Sequence, residues 1–268
     1  MEPITIAELL PGYEPYHEEN VNSVYKAQVH TDDQGEISAF VKSIPDQELL
    51  MECISALIGR ALNLPIPKPL LVIVKPDSCP PGHDLRKPLF GCEEIQHPSV
   101  RRFVCPDGDI NPHFHQLFIE KISAWKQLAD AALFDEQIAN CDRNSGNYLF
   151  DGRTFHLIDH GLAMYILFNE AITTDSPIPD NSFLQILTQQ DEMSRKRSQK
   201  QIKTLLTQLG CININQAYDC SLFEKYADTP ELGQKMIEIY RKRIEYITDI
   251  VFTQLGFKQE NNNEYGAW

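Results

Sequence analysis

The sequence contains no pair of cysteines spaced as in a zinc ribbon or a thioredoxin-like motif. Its seven cysteines are odd in number and irregularly spaced, so free thiols in a reducing compartment are expected. Long apolar runs are also missing, because prolines and lysines interrupt the longest one, LPIPKPLLVIVKP. The N-terminus is acidic and lacks the basic region of a signal peptide. These absences predict a cytoplasmic protein without a membrane segment.

Positive charge is scarce in this chain of 268 residues. Lys and Arg total 24 against 38 Asp and Glu, which gives a formal net charge of -14. Sequence-independent binding to nucleic acid or to an anionic membrane needs clustered Lys and Arg, so neither is an expected partner. The hydrophobic fraction of 42% and the absence of repeats are typical of a globular protein long enough for one domain or two small lobes.

The first part of the chain reads as β-rich. SVYKAQV (23–29) and ISAFVKS (37–43) alternate apolar and polar positions around a turn at Gly35, which predicts a β-hairpin. Apolar residues recur at helical spacing over 46–63, and prolines then force extended structure over 64–74.

Helical patterns dominate after residue 113. Helical spacing runs through 113–141, although the pattern does not require one unbroken helix. A short hairpin over 147–159 follows, with Asp151-Gly152 as its turn. Further helices are predicted over 181–190, 197–210 (with Gly210 as its C-cap) and 230–256.

This order predicts an α+β fold with a bilobal, protein-kinase-like layout. The expected units are a small β-rich N-lobe with one key helix over 1–95 and a larger, mostly helical C-lobe over 96–268. Layout alone identifies no activity, so the functional argument depends on particular residues.

The stretch CDRNSGNYLFDGRTFHLIDHG gathers three polar side chains. Asp142 and Asn147 lie in a loop before the hairpin, and Asp159 stands at its end. Because antiparallel pairing brings the start of the first strand beside the end of the second, the three are expected to converge. Arg143 is expected to bond loop carbonyls or Asp159, with a catalytic role as the alternative.

Phosphoryl transfer uses this combination of groups. One carboxylate orients the attacking hydroxyl and accepts its proton, while an amide oxygen and a second carboxylate hold Mg²⁺ on the phosphates. Protein kinases space the Asp and Asn five residues apart, as Asp142 and Asn147 are, and place a DFG motif where Asp159-His160-Gly161 stands here. The alternative is an Asn/Gly-rich turn without catalytic meaning.

A kinase also needs a lysine for the phosphates and a helical glutamate to pair with it. Lys42 ends the second strand of the first hairpin, and Glu52 follows ten residues later in the helix. An ion pair between Lys42 and Glu52 is the preferred interpretation, and Glu48, one turn earlier, is the alternative partner.

The ordered set FVK, a glutamate-bearing helix, GRALNLPIPKP, FDEQIANCDRNSGNYLF and LIDHG resembles the HipA-like kinases over roughly residues 20–165. That family has a bilobal fold related to protein kinases and phosphoinositide kinases. The resemblance implies Asp142 as catalytic base, Asn147 and Asp159 as Mg²⁺ ligands, and Lys42 on the phosphates of ATP.

The resemblance also locates the adenine-binding hinge in LFGCEEI (89–95), with Glu93, Glu94 and Ile95 as candidates. The loop before Lys42, EENVNSVYKA, has no glycine, as HipA-like kinases lack the protein-kinase glycine pattern. Asn22 and Ser23 are candidates for side-chain contacts to phosphate, and an ordinary turn is the alternative.

The expected function is an ATP- and Mg²⁺-dependent kinase acting on Ser or Thr of a protein, with the chain itself among the candidate substrates. A small-molecule or lipid kinase with the same site, and a pseudokinase adaptor, are the alternatives. The chain is shorter than toxin-type members and is expected to lack their extra N-terminal subdomain, so a toxin–antitoxin role, the substrate and any regulatory partner stay open.

Overall fold

The computed structural model describes residues 1–16, 23–106, 108–218, 223 and 230–257. Within these ranges the protein is a mixed α/β structure with eight strands and eight α-helices. Six strands form one sheet in the first part of the chain, and a separate two-stranded hairpin lies among the helices of the second part.

The strands of the large sheet are β1 (Thr5–Leu9), β2 (Glu14–Pro15), β3 (Val24–Thr31), β4 (Gly35–Lys42), β5 (Pro69–Ile73) and β6 (Leu89–Glu93). The small hairpin consists of β7 (Tyr148–Phe150) and β8 (Phe155–Leu157). The helices are α1 (Asp46–Ala61), α2 (Arg101–Val104), α3 (Pro112–Ser123), α4 (Leu128–Gln137), α5 (Tyr165–Phe168), α6 (Ser182–Thr188), α7 (Glu192–Cys211) and α8 (Pro230–Gln254). Two 3-10 turns cover Ser145–Asn147 and Ile214–Ala217.

Strand β1 closes the large sheet into a ring. It pairs antiparallel with β3 and parallel with β5, so the pairing runs β1–β5–β6–β4–β3 and returns to β1. The predicted hairpin of β3 and β4 is confirmed, with Val24 opposite Lys42 and Thr31 opposite Gly35. Gly35 has φ 72°, which the tight turn requires.

Small aliphatic side chains fill the interior of this barrel. Because side chains alternate along a strand, Ala39 and Val41 point inward while Phe40 and Lys42 lie on the outer face. A Cβ on Gly91 would lie 2.6 Å from the Val72 side chain, so glycine is needed at this narrow point. The buried interior cluster comprises Ala7, Leu9, Ala27, Val29, Ala39, Val41, Leu70, Val72, Val74 and Leu89.

Helix α1 is buried along most of its length and packs closely against α4. A Cβ on Gly59 would lie 2.9 Å from the Phe134 ring and would also meet the Ile66 side chain. The proline-rich segment between α1 and β5 is fixed there because Arg60 Nη1 donates to the Ile66 carbonyl at 2.7 Å. The close approach of Gly59 to Phe134 places α1, and the sheet that carries Lys42, beside the helices that follow.

The helical pattern over 113–141 forms two helices, α3 and α4, separated by a break after Ser123, which the sequence analysis left open. Helix α7 begins earlier than residue 197 and continues past Gly210, so the prediction that Gly210 caps it was wrong. The first residues of α7 are mostly polar, so the spacing of apolar residues does not indicate where the helix begins. The Asp191 carboxylate caps this end by accepting a hydrogen bond from Ser194 N at 2.9 Å.

Helix α4 lies at the centre of the second part, in contact with α6, α7 and α8. Its residues are buried on every side except at Asp130, and they share one hydrophobic core with α1. None of the helices in the described ranges has the length and apolar character required to cross a membrane.

Replacing Asp130 by asparagine is expected to stabilise the protein near neutral pH. Burial raises the pKa of the Asp130 carboxyl to about 6, although the Gln201 amide donates to it at 2.8 Å. The folded state therefore binds more protons than the unfolded chain, and stability falls as pH rises from about 4 to 6. After allowance for solvent screening, Asp130→Asn is expected to gain ~1 kcal/mol at pH 7 and to show a flatter dependence on pH.

Urea unfolding of both proteins at pH 4.5 and pH 7.5 measures this effect. Asp180→Asn, at an exposed position, is the control. A stability loss with Asp130→Asn at pH 7.5 would contradict the prediction.

Candidate active site

Lys42 is held between two carboxylates at the end of β4. Its Nζ lies 2.6 Å from Glu52 Oε1 and 2.8 Å from Asp159 Oδ1. The predicted ion pair of Lys42 with Glu52 is therefore present. The alternative partner, Glu48, lies one turn away, with its carboxylate near Gly161.

Glu52 uses its second oxygen to hold the turn that follows β8. Its Oε2 accepts from the His160 backbone amide at 2.8 Å, and the side chain is almost fully buried. Burial would raise the pKa of Glu52, but Lys42 and His160 outweigh it and keep that pKa well below its usual range. Burial likewise opposes the charge on Lys42, yet Glu52 and Asp159 raise its pKa above the usual range. Glu52 and Lys42 are consequently both charged at neutral pH.

The loop before β7 is fixed around the backbone of Asp142. The Asp142 amide donates to Asn140 Oδ1 at 3.1 Å, and its carbonyl accepts from Asn147 Nδ2 at 2.6 Å and from Asn144 Nδ2 at 3.1 Å. Asp142 itself is exposed, so its carboxylate is accessible while its backbone is restrained.

Arg143 has a structural position beneath this loop. Its guanidinium forms two bonds with the Asp135 carboxylate, at 2.8 and 2.9 Å, and both side chains are about 1% exposed. Its Nη1 also donates to the Ile158 carbonyl at 2.8 Å and to the Asn147 carbonyl at 3.4 Å. Arg143 thus bonds the carbonyls of the loop and hairpin, as one of the sequence interpretations expected. Asp135 was missed, and its place before the loop in FDEQ is the signal that could have identified it.

The short hairpin brings Asn147 and Asp159 together as predicted. Tyr148 pairs with Leu157, and the Ile158 amide donates to the Asn147 carbonyl at 3.2 Å. Asp159 then adopts φ 60°, a left-handed conformation that turns the chain into the following His160-Gly161 turn.

Oxygen atoms suited to Mg²⁺ remain at this point. Within the described residues, Asn147 Oδ1 and Asp159 Oδ2 accept no hydrogen bond. Although the Asp159 side chain is half-exposed, partial desolvation and the nearby Glu52 raise its pKa against the attraction of Lys42. A bound cation would favour the ionised form. No cluster of three or more His, Cys, Asp or Glu in the described part of the chain could hold a metal alone. The two oxygens therefore fit an ion such as Mg²⁺ that takes its other ligands from phosphate and water.

The remaining predicted residues lie at two places along β4, beside Lys42 and beside Ser38 and Ala39. Ser23 is exposed and precedes Val24, which pairs with Lys42. The Glu93 and Glu94 amides donate to the Lys68 and Ser38 carbonyls, whereas the Ile95 amide has no partner among the described residues. The Glu94 carboxylate is bound to Lys26 at 2.6 Å. Asn22 lies outside the described residues.

Comparison with known proteins gives a structural match alone. The fold is similar to the crystal structure of the Helicobacter pylori proinflammatory kinase CtkA, with a TM-score of 0.54 and 14% sequence identity over 94% of this chain and 98% of that one. No protein-family model matches the chain. A search of curated proteins finds no match either. At this identity the likeness establishes a kinase-like fold.

Removing the Arg143 guanidinium is expected to destabilise the protein strongly. Arg143→Met leaves the buried Asp135 carboxylate without its charged partner and with only the Asn140 amide, at 3.4 Å, so a loss of ~3–5 kcal/mol in the free energy of unfolding is expected. Arg153→Met, at an exposed position in the turn of the β7–β8 hairpin, is the control and is expected to change stability by less than ~0.5 kcal/mol. Urea denaturation measures both variants. Equal stabilities would show that Asp135 and Arg143 do not act as a buried pair.

Proposed function

We propose that this chain is an ATP- and Mg²⁺-dependent kinase of the HipA-like type that transfers the γ-phosphate to a Ser or Thr hydroxyl of a protein. In this proposal residues 1–95 form an N-lobe over a C-lobe of residues 96–268. The observation that carries the proposal is the contact of Lys42 with both Glu52 and Asp159.

The two partners of Lys42 suit different tasks. Glu52 is buried and also bound to the His160 amide, so it can orient the lysine permanently. Asp159 is half-exposed, so its contact with Lys42 can be exchanged for one with phosphate. A lysine and an aspartate on the phosphate side of the site are the parts that kinases use to hold ATP.

Asp142 is the proposed catalytic base. Its exposed carboxylate orients the acceptor hydroxyl and accepts its proton, while the bonds to its backbone keep the loop in place. Asn147 Oδ1 and Asp159 Oδ2 are the proposed metal ligands. Bound Mg²⁺ neutralises the negative charge of the phosphates during transfer.

The nucleotide base is proposed to bind at the end of β6. The Ile95 amide, which has no partner among the described residues, is the proposed donor to adenine, and the amides of the preceding Glu93 and Glu94 are bound within the protein. Ser23, beside the strand end that carries Lys42, is the proposed side-chain contact to phosphate in the absence of a glycine-rich loop.

An exposed apolar surface supports a protein acceptor over a small molecule. Phe103, Ile110, Phe114 and Leu117 on and between α2 and α3 are each at least 40% exposed, and α2 packs against the 3-10 turn that contains Asn147. Clustered exposed apolar side chains are typical of surfaces that contact other macromolecules.

Phosphate transfer from labelled ATP to lysate proteins is expected to depend on Lys42 and Asp142. Lys42→Met and Asp142→Asn should each reduce transfer by at least ~100-fold while the far-ultraviolet circular dichroism spectrum is retained. Lys242→Met is the control, because Lys242 is also paired with one carboxylate, Glu238, on the exposed side of α8. Undiminished transfer in either site variant would refute the mechanism.

Binding of Mg²⁺-ATP is expected to raise the melting temperature. At a ligand concentration of about 100 times Kd the stabilisation is ~2.7 kcal/mol, or roughly 5–10 °C for a chain of this size. In the wild type, EDTA should remove the Mg²⁺-dependent part of this rise in melting temperature. Asp159→Asn should lack that Mg²⁺-dependent part, whereas Asp142→Asn should retain it. No shift with millimolar Mg²⁺-ATP would favour the pseudokinase alternative.

A further inference from the structure

Arg243 on α8 is the largest fully buried side chain in the described part of the protein. Its Nη2 donates to Glu136 Oε1 and its Nε to the Glu136 carbonyl, both at 2.8 Å. Its Nη1 donates to the carbonyls of Thr174 and Ser176, at 3.2 and 2.9 Å. A single guanidinium thus ties α8 to α4 and to the segment between α5 and α6.

That segment, residues 169–181, has no regular structure and is mostly exposed. Glu136 holds it at two further points, since its carboxylate accepts from the Ile178 amide at 2.8 Å and from Asn181 Nδ2 at 3.1 Å. The conformation of the segment therefore depends on polar bonds to one buried ion pair.

A buried ion pair adds little stability over well-packed apolar residues, because removing both charges from water is costly. Its use here is better explained by the conformation that it fixes. Arginine suits this position since its planar fork can reach a carboxylate and several carbonyls at once, which a lysine ammonium cannot.

The segment ends beside the proposed catalytic base. At the start of α6, Ser182 Oγ donates to the Arg143 carbonyl at 3.3 Å, and Arg143 follows Asp142 directly. Lys42 and Asp159 define the phosphate side of the site. The C-terminal end of the segment therefore lies beside the loop that carries Asp142.

We propose that Arg243 is a positioning residue that fixes residues 174–182 as one wall of the acceptor site, without contributing to nucleotide binding. This inference rests on the proposed kinase function. It assigns acceptor recognition to a pair, Arg243 and Glu136, that lies away from the groups expected to contact ATP.

Arg243→Lys tests the proposal because it retains a positive charge beside Glu136 and loses the bonds to the two carbonyls. Arg241→Lys is the matched control, two residues earlier on the same helix and exposed. Hydrogen–deuterium exchange in peptides covering 170–181 is expected to be about tenfold faster in Arg243→Lys and unchanged in Arg241→Lys. Exchange over 142–150 should stay as in the wild type.

Kinetics separate positioning from a general loss of structure. With dephosphorylated casein as acceptor, the KM for casein is expected to rise about tenfold, in line with the loss of one or two hydrogen bonds. The KM for Mg²⁺-ATP and the melting shift that Mg²⁺-ATP produces should not change. If Arg243→Lys does not fold, Arg243→Gln replaces it, because its amide can donate to Glu136 while the bonds to the Thr174 and Ser176 carbonyls are lost.

Unchanged exchange over 170–181 in the folded variant overturns the inference. An unchanged KM for casein beside faster exchange overturns it as well, while the kinase assignment stands. A wild type that labels neither casein nor lysate proteins refutes the proposed function instead, and the exchange result still decides whether Arg243 fixes the segment.

Discussion

The rest of the site depends on the two hydrogen bonds of the Glu52 carboxylate. One oxygen binds Lys42 at the end of the barrel, and the other accepts from the His160 amide in the turn after β8. Because the side chain is almost fully buried, each oxygen needs a partner, and the partners come from two distant parts of the chain. Glu52 thereby sets the position of the lysine relative to Asp159, although it faces no solvent itself.

Helix α4 organises the other side of the site through two consecutive carboxylates. Asp135 binds Arg143 beneath the loop that contains Asp142, and Glu136 binds Arg243 beneath the segment between α5 and α6. Successive residues on a helix point about 100° apart, so one short stretch can serve two separate segments. Neither carboxylate is exposed, and each is linked to the neighbouring backbone through the carbonyls that its arginine binds.

Local patterns account for what could be predicted from the sequence. The pair of Lys42 and Glu52 could be predicted because only ten residues separate them and the helix follows the strand directly. The proximity of Asn147 and Asp159 follows from the antiparallel pairing of the hairpin. These short-range rules also predicted the hairpin of β3 and β4.

Long-range pairings could not be predicted in the same way. Strand β1, the five residues TIAEL, closes the ring by pairing with β3 and β5. These pairings depend on the whole barrel, and no local sequence pattern indicates them. Arg243 and Glu136 are 107 positions apart, and an arginine in a helix is ordinarily taken for a surface residue. Gly210 misled because a glycine near a helix end suggests a cap, whereas here the backbone stays helical for one residue more.

Because α1 is buried on nearly all sides, a movement of this helix away from the site is unfavourable. Its residues from Leu49 to Gly59 are buried, and Gly59 leaves no gap to the Phe134 ring. Turning the helix away from the site would expose apolar surface at ~25 cal/mol per Å² and would separate the Glu52 carboxylate from Lys42. The lysine–glutamate pair is therefore a fixed part of the molecule, in contrast to residues 169–181, which have no regular structure and are mostly exposed.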